Sequence, residues 1–319
     1  MHPLPKKKFI TKFLGFCIFL ISYILLSDTF SQASSLNVIE VVTDVYMVEK
    51  INQDLMEKTA GGIANAGFII GSEGVIVIDS GMSHQTGKAL VKTIRTLTDL
   101  PIELTILTHA DQNFIFGASA LSLEGSSIGA HSLAARTMRE RCQTCLEQLF
   151  ETYGNKMLKS RVLVPDITWN QTTTLSVGGE KVKILYPGPM KTPGSIMIYH
   201  VNSSTLFSGG NVSHNHVPDV TKSDVSFWLA SLETLDAMPI NHVVPGYGPL
   251  GDHTSVDHTK EYLSHLTAEI EKYFFEAKTL IDTIALAKLP EFSQWSGYQQ
   301  NHAKNVQEIY LQIELRQFR

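Results

Sequence analysis

Histidine, aspartate and cysteine fall at three places in this chain where their spacing suits metal binding or thiol chemistry. His109 and Asp111 lie in the loop Leu107-Thr-His-Ala-Asp-Gln-Asn-Phe-Ile-Phe-Gly117, directly after an apolar run, and offer an imidazole and a carboxylate to a metal. His214 and His216 form an H-x-H pair, which chelates when both rings share one strand face and otherwise reads as loop residues at a cleft mouth. Cys142 and Cys145 form a C-x-x-C pair with three open readings: a local disulfide at a helix turn or break, a redox or metal role, or free thiols. His84, His131, His200, His242, His253, His258, His265 and His302 show no ligand spacing and read as capping, packing or surface residues. Ser83, Ser208 and Ser213 adjoin predicted loops, but no serine sits in a G-x-S-x-G elbow, so serine-nucleophile chemistry has no support.

These residues need elements to position them. The apolar run 102–108 predicts a buried strand ending at the His109 loop. Before it, 38–48 alternates loosely, 53–62 reads as a polar loop, and 64–70 and 75–79 form a strand pair over Gly71-Ser-Glu-Gly74. Leu90, Val91, Ile94 and Leu97 predict a helix over 86–97. A short helix over 118–123 and a strand over 127–130 lead into a long helix from 132 to about 153. Two hairpins follow, 173–177 with 181–186 and 196–201 with 205–208, then a helix over 223–238 with Ser223 as N-cap and a strand at 242–244. Helical patterning dominates from Val256 onward, and its aromatic residues Tyr262, Tyr273, Phe274, Phe275 and Tyr310 read first as packing. There is no internal repeat and no linker that divides two independent domains. Mixed hairpins with interspersed helices predict two sheets with helices outside.

The 319 residues suffice for a large core, and 43% hydrophobic with 18% charged residues excludes a disordered or fibrous chain. A net charge of −5 argues against nucleic acid as the main partner. The one basic cluster, Lys6, Lys7, Lys8 and Lys12, precedes the apolar stretch 13–26 and a Ser31-Gln32-Ala33 cleavage pattern. Residues 1–33 therefore read as a secretory signal peptide, with an uncleaved membrane anchor as the alternative. Cys17 follows Phe16, where a lipoprotein site would want a small residue. Removing four lysines and Asp28 leaves a more acidic chain, at −8, in a periplasmic or secreted setting.

The His109 loop resembles the T-H-x-H-x-D-H-x-x-G loop of the metallo-β-lactamase superfamily, with the frame intact from Thr108 to Gly117. Further landmarks agree in order: Val77-Ile78-Asp79-Ser80-Gly81, Gly188-Pro-Met-Lys-Thr-Pro-Gly194, Leu206-Phe-Ser-Gly-Gly210 and Val243-Val-Pro-Gly-Tyr-Gly248. Within the superfamily the chain looks closest to exported zinc-metallohydrolase-like proteins associated with quinoprotein dehydrogenase systems, whose C-terminus its Trp295, Tyr298, His302, Asn305, Tyr310 and Glu314 resemble. The resemblance implies an αββα sandwich: two packed mixed β-sheets flanked by helices, over residues 36–252, with a C-terminal helical extension over 253–319. It also implies a dizinc site in which a metal-bound hydroxide attacks an ester, lactone, amide or thioester.

Carried over position by position, the ligand pattern fails. His109 keeps the first histidine, whereas Asp111 replaces the second, Asn113 the aspartate and Phe114 the last histidine of the loop. Lys191 stands where a further histidine is expected, Gly210 at the bridging aspartate, and Tyr247 at the final histidine. A coordinating Lys191 would first have to lose its proton, at about 4–5 kcal/mol near neutral pH. The expected arrangement is a Lys191 ammonium in the vacated position, paired with Asp111, with Phe114 and Tyr247 filling the remaining volume. Asp79 matches a position that supports the metal loop and, without metal, caps or hydrogen-bonds it.

Three functions follow from the resemblance. The first is an exported pseudoenzyme that keeps the fold and cleft, needs no cofactor, and binds a small molecule or a periplasmic partner, by association one from a quinoprotein dehydrogenase system. The second is a weakly active hydrolase of lactones, esters, thioesters or β-lactams with a mononuclear zinc site drawn from His109, Asp111, His214 and His216. The third is a structural or assembly component acting through its C-terminal helices. No residue is assigned a catalytic role.

Overall fold

The computed structural model describes His2 and residues 36–52 and 64–317. The expected signal segment, His2 apart, and the expected polar loop 53–62 lie outside the described residues. No helix among the described residues is long and apolar enough to cross a membrane.

Seven strands form the first sheet in chain order: β1 (Asn37–Val42), β2 (Val45–Glu49), β3 (Ala66–Ile70), β4 (Val75–Ile78), β5 (Ile102–Leu107), β6 (Ser127–His131) and β7 (Ile167–Trp169). Its first four strands pair antiparallel and its last four parallel. Parallel pairing requires crossovers, and α1 (His84–Arg95), then α2 (Gln112–Ile115) with α3 (Ala118–Leu121), then α4 (Ser132–Tyr153) provide the three. The second sheet has the order β12-β11-β10-β9-β8, from β8 (Thr173–Val177), β9 (Glu180–Leu185), β10 (Met197–His200), β11 (Thr205–Ser213) and β12 (His242–Tyr247). Only β11 and β12 run parallel in this sheet.

The alternation of each strand decides the layers. Met47, Ile69, Ile76, Ile78 and Ile106 meet Val182, Ile184, Ile198 and Phe207 between the two sheets. The opposite face of the first sheet offers Phe68, Val75 and Val77 to Leu90 and Ile94 of α1. Each such fully buried side chain stabilises the fold by about 1.5–3 kcal/mol. On the far side, the second sheet is covered by α5 (Val225–Glu233), α6 (Thr254–Phe275), α7 (Leu280–Leu286) and α8 (Tyr298–Gln317). Trp228, Tyr262, Leu263, Leu266, Val306 and Ile309 share one core there. The result is the helix–sheet–sheet–helix order that the strand and helix pattern predicts.

Three local expectations need correction. The cysteines lie one turn apart inside the unbroken helix α4 (Ser132–Tyr153), and both are free thiols, Cys142 buried and Cys145 half-buried. No turn or break separates them, so the setting that made a local disulfide attractive is absent. The cap of α5 is Asp224, whose carboxylate accepts from the Ser226 N–H at 3.0 Å, while the Ser223 hydroxyl donates back to the Val220 carbonyl. Strand β11 continues five residues past 208, through Gly209-Gly-Asn-Val-Ser213, because every residue of it is buried. Burial on both faces hides the alternation that marks a strand in sequence.

Candidate functional site

The C-terminal ends of β4, β5, β11 and β12 bring the expected residues together at one edge of the sandwich. Asp79 follows β4 in the left-handed region, at φ 59°, which aims its carboxylate at the start of the His109 loop. There it accepts from the Thr108 N–H at 2.8 Å and from the Thr108 hydroxyl at 2.8 and 3.0 Å. The Thr108 oxygen stands 2.8 Å from His109 Nδ1. With Asp79 ionised, the Thr108 proton is given to it and that oxygen accepts, so His109 then carries its proton on Nδ1 and presents a lone pair at Nε2. Burial pushes Asp79 up to about 7 and His109 down to about 3, so His109 is neutral at neutral pH.

Asp111 caps α2, accepting from the Asn113 N–H at 3.0 Å. The Asn113 amide donates to the Tyr247 hydroxyl at 3.0 Å. Phe114 is wholly buried between two rings, 4.5 Å from that of His109 and 5.5 Å, edge-on, from that of Tyr247. His216, 4% exposed, stacks on Tyr247 with centroids 5.0 Å apart, and burial lowers it to about 4. Burial likewise pushes the Tyr247 phenol well above its ordinary range.

Lys191, only 4% exposed, enters this site from the segment between β9 and β10. Its direct ion-pair contact is with a carboxylate other than the predicted Asp111, although its charge still acts on Asp111. Lys191 Nζ lies 3.8 Å from Asp219 Oδ2, and the contact partner of Asp111 is the exposed Lys222, at 3.9 Å. The loop after β11 carries both Asp219 and Lys222 to the rim, so buried Lys191 and half-buried Asp111 each meet a partner from one short segment. Burial drives the Asp111 and Asp219 carboxyls up, but the Lys191 charge, with help from local hydrogen bonds, outweighs it and holds both below the usual carboxylate range.

Gly210 decides how closely Lys191 can approach. A Cβ on Gly210 would lie 2.5 Å from Lys191 Cδ and 3.0 Å from His109 Nε2. The stem of Lys191 therefore runs through the space that a side chain at position 210 would take.

Several buried polar atoms here have no hydrogen-bond partner: His109 Nε2, Asn113 Oδ1 and both ring nitrogens of His216. Each such atom costs about 1–3 kcal/mol if it stays unpaired. His214 is not part of the group, since its Nδ1 is 2.6 Å from the Ser255 hydroxyl. Asp219, Lys222 and Thr108 are functional neighbours that spacing alone does not reveal. The one local signal is the turn in which Asp219 accepts from the N–H and hydroxyl of Thr221.

A dizinc centre needs several imidazole, carboxylate or thiolate donors converging on each ion. Here the seven family ligand positions hold one histidine, one helix-capping aspartate, an asparagine, a phenylalanine, a lysine, a glycine and a tyrosine, with His216 stacked on the tyrosine and Asp219 beside the lysine. Among the described residues no group of three or more His, Cys, Asp or Glu is placed to hold a metal ion. This donor set does not fit two zinc ions.

Residues 59–247 match the family profile of the metallo-β-lactamase superfamily. The chain is 25% identical over 266 residues to a metallo-β-lactamase type 2 of Bacillus sp. (strain 170), covering 78% of this chain and 96% of that protein. It is 21% identical to a linear primary-alkylsulfatase of Pseudomonas sp. (strain ATCC 19151), covering 68% and 48%. Among solved structures, the metallo-β-lactamase from Pontibacter korlensis aligns with a TM-score of 0.60 at 21% identity, covering 72% of this chain and 99% of its own.

Proposed function

The chain belongs to the metallo-β-lactamase superfamily, and from that premise we propose that it uses the family cleft to bind a small molecule and not to carry out dizinc hydrolysis. The observation that carries this reading is the Lys191 stem against Gly210, beside His109 Nε2. A cationic side chain occupies the position where a bridging carboxylate would have to stand, and it opposes any divalent ion by charge as well as by volume. The basic, apolar and small-residue pattern of residues 1–33 supports export. The C-terminal resemblance supports a role beside a periplasmic quinoprotein dehydrogenase system, as a carrier or sensor of a small molecule.

Metal content tests the reading directly. Protein purified without chelators should hold far less than one zinc per chain, and His109→Ala should not change that amount. Near-stoichiometric zinc that disappears in His109→Ala would overturn it. A second reading, a mononuclear metal hydrolase, draws on the unpartnered nitrogens of His109 and His216. Under that reading the same zinc measurement would come with turnover of a lactone or β-lactam that is lost in His109→Ala.

A further inference from the structure

We propose that the turn between β10 and β11 carries a hydrolytic site of its own that needs no metal. Ser203 is its nucleophile, His200 the base, and Glu180 the residue that positions the imidazole, and it acts on small carboxylic esters. The turn precedes β11, whereas the family cleft lies toward the far end of that strand, at Gly210 and beyond. The proposal is therefore independent of whether the cleft holds zinc.

The three side chains form one hydrogen-bonded chain. His200 of β10, only 4% exposed, has Nε2 2.8 Å from Glu180 Oε2 of β9 and Nδ1 2.7 Å from Ser203 Oγ. The Glu180 carboxylate can only accept, so it fixes the imidazole proton on Nε2. In neutral His200, Nδ1 is then a lone pair facing the Ser203 hydroxyl, the relation a nucleophilic serine needs from its base. The ring nitrogens exchange the roles they hold in the usual serine triad, where Nε2 faces the serine. Thr205 Oγ1, 2.7 Å from Ser203 Oγ, is the other acceptor for the Ser203 proton. It takes that proton when His200 is charged, and Nδ1 takes it when His200 is neutral. No elbow motif surrounds Ser203. The hairpin turn 201–204 presents it instead, closed by Ser204 in the left-handed region at φ 53°.

These groups open onto space that a substrate can enter. Ser203, His200, Glu180 and Asn202 line a cavity of about 340 Å³ together with Val42, Val45, Ile69 and Ile70. That volume suits a small molecule, and the aliphatic side chains suit a short acyl chain. Asp44, on the same wall, repels an anionic ester and leaves uncharged or cationic ones. Asn202 gives one amide N–H to Glu180 Oε2 at 2.9 Å and keeps a second for the carbonyl oxygen that becomes negative. In the first half-reaction Ser203 Oγ bonds to the acyl carbon and its proton passes to His200 Nδ1. The ester C–O bond breaks, and the alcohol leaves with that proton. In the second, water gives a proton to His200 and its oxygen bonds to the acyl carbon. The Ser203 Oγ–acyl bond breaks and Ser203 takes the proton back, so the products are a carboxylic acid and an alcohol and nothing is oxidised or reduced.

The test treats the full chain, with and without EDTA, with a fluorophosphonate, which forms a serine O–P bond as fluoride leaves. Mass spectrometry of the peptides then locates the adduct. The expected result is a single adduct on Ser203 that forms equally well in EDTA. Hydrolysis of p-nitrophenyl butyrate should accompany it and fall by about a hundredfold in Ser203→Ala and in His200→Gln, with unfolding still cooperative. Glu180→Ala should slow both reactions by about tenfold or more and release the imidazole proton from Nε2, as read from the His200 nitrogen shifts by NMR. A folded chain without an adduct on Ser203, adduct formation unchanged in His200→Gln, or an adduct abolished by EDTA would each overturn the proposal. Neutral His200 with its proton on Nδ1 would overturn it as well. If a variant does not fold, the adduct and the His200 nitrogen shifts of the unaltered chain decide the matter.

Discussion

The Asp79 carboxylate accepts both the backbone N–H and the hydroxyl of Thr108, at 2.8 Å each for the shorter contacts, and so ties the ends of two parallel strands together. Asp79 holds this position from a left-handed backbone. Asp79→Ala removes both acceptors and places alanine at φ 59°, and it should cost about 2–4 kcal/mol in urea unfolding. Asp79→Asn tolerates that backbone and keeps one acceptor, so at about pH 5, below the raised Asp79 pKa of about 7, its cost should be about half as large. Equal losses in the two variants would show that the acceptors do not matter.

Buried His216 and Asp79 should tilt the pH dependence of stability in opposite directions. The folded pKa of His216 is lowered from 6.5 to about 4, so its contribution is present above 6.5 and lost as pH falls toward 4. Replacing it with phenylalanine should remove up to about 3 kcal/mol of acid destabilisation across that window. The folded pKa of Asp79 is raised from 3.8 to about 7, so its contribution is fully present below 3.8 and lost as pH rises through 7. Urea midpoints from pH 4 to 8 for the parent, His216→Phe and Asp79→Asn read both slopes. Parallel curves for all three would refute the assignment.

Gly210 and Lys191 should be energetically coupled. Gly210→Ala puts a methyl group 2.5 Å from Lys191 Cδ and should cost about 1–3 kcal/mol. In a Lys191→Ala background the same change should cost at least about 1 kcal/mol less, since the obstructing stem is gone. Strict additivity in this double-mutant cycle would mean that the stem does not fill the space.

The two thiols of α4 should differ in reactivity. Burial pushes the Cys142 thiol up to about 11, with Cys145 adding to the shift, so little thiolate forms at mildly alkaline pH. Peptide mapping after iodoacetamide treatment should find Cys145 alkylated in the folded chain and Cys142 only after unfolding. Equal labelling of both in the folded state would contradict the burial of Cys142.

The frame of the site was legible because its residues are contiguous or sit at strand ends. Thr108 to Gly117 follows the apolar strand β5, and the replaced positions 191, 210 and 247 each adjoin a recognisable landmark. The choice of partner was not legible. The sequence reading pairs Lys191 with Asp111, and only the path of the loop after β11 brings Asp219 to it. The burial of His216 was hidden for a similar reason. A bridge to Ser296, eighty residues later, covers it, so a residue that spacing places at a cleft mouth is walled in by the C-terminal segment. The short reach of β11 in the sequence reading came from its Gly209-Gly210 pair, which breaks alternation while the parallel ladder to β12 carries the strand through.

That C-terminal segment does more than cover one ring. Asn305 of α8 donates to the Pro218 carbonyl and accepts from the Val220 N–H, clamping the backbone on both sides of Asp219. The rim carboxylate that faces Lys191 is thereby held from a helix far along the chain. Occupancy of the cleft and the opening free energy of α8 are then linked quantities. A molecule that displaces Asp219 from Lys191 should change the hydrogen-exchange protection of α8, which makes the last helix a remote gauge of what the cleft contains.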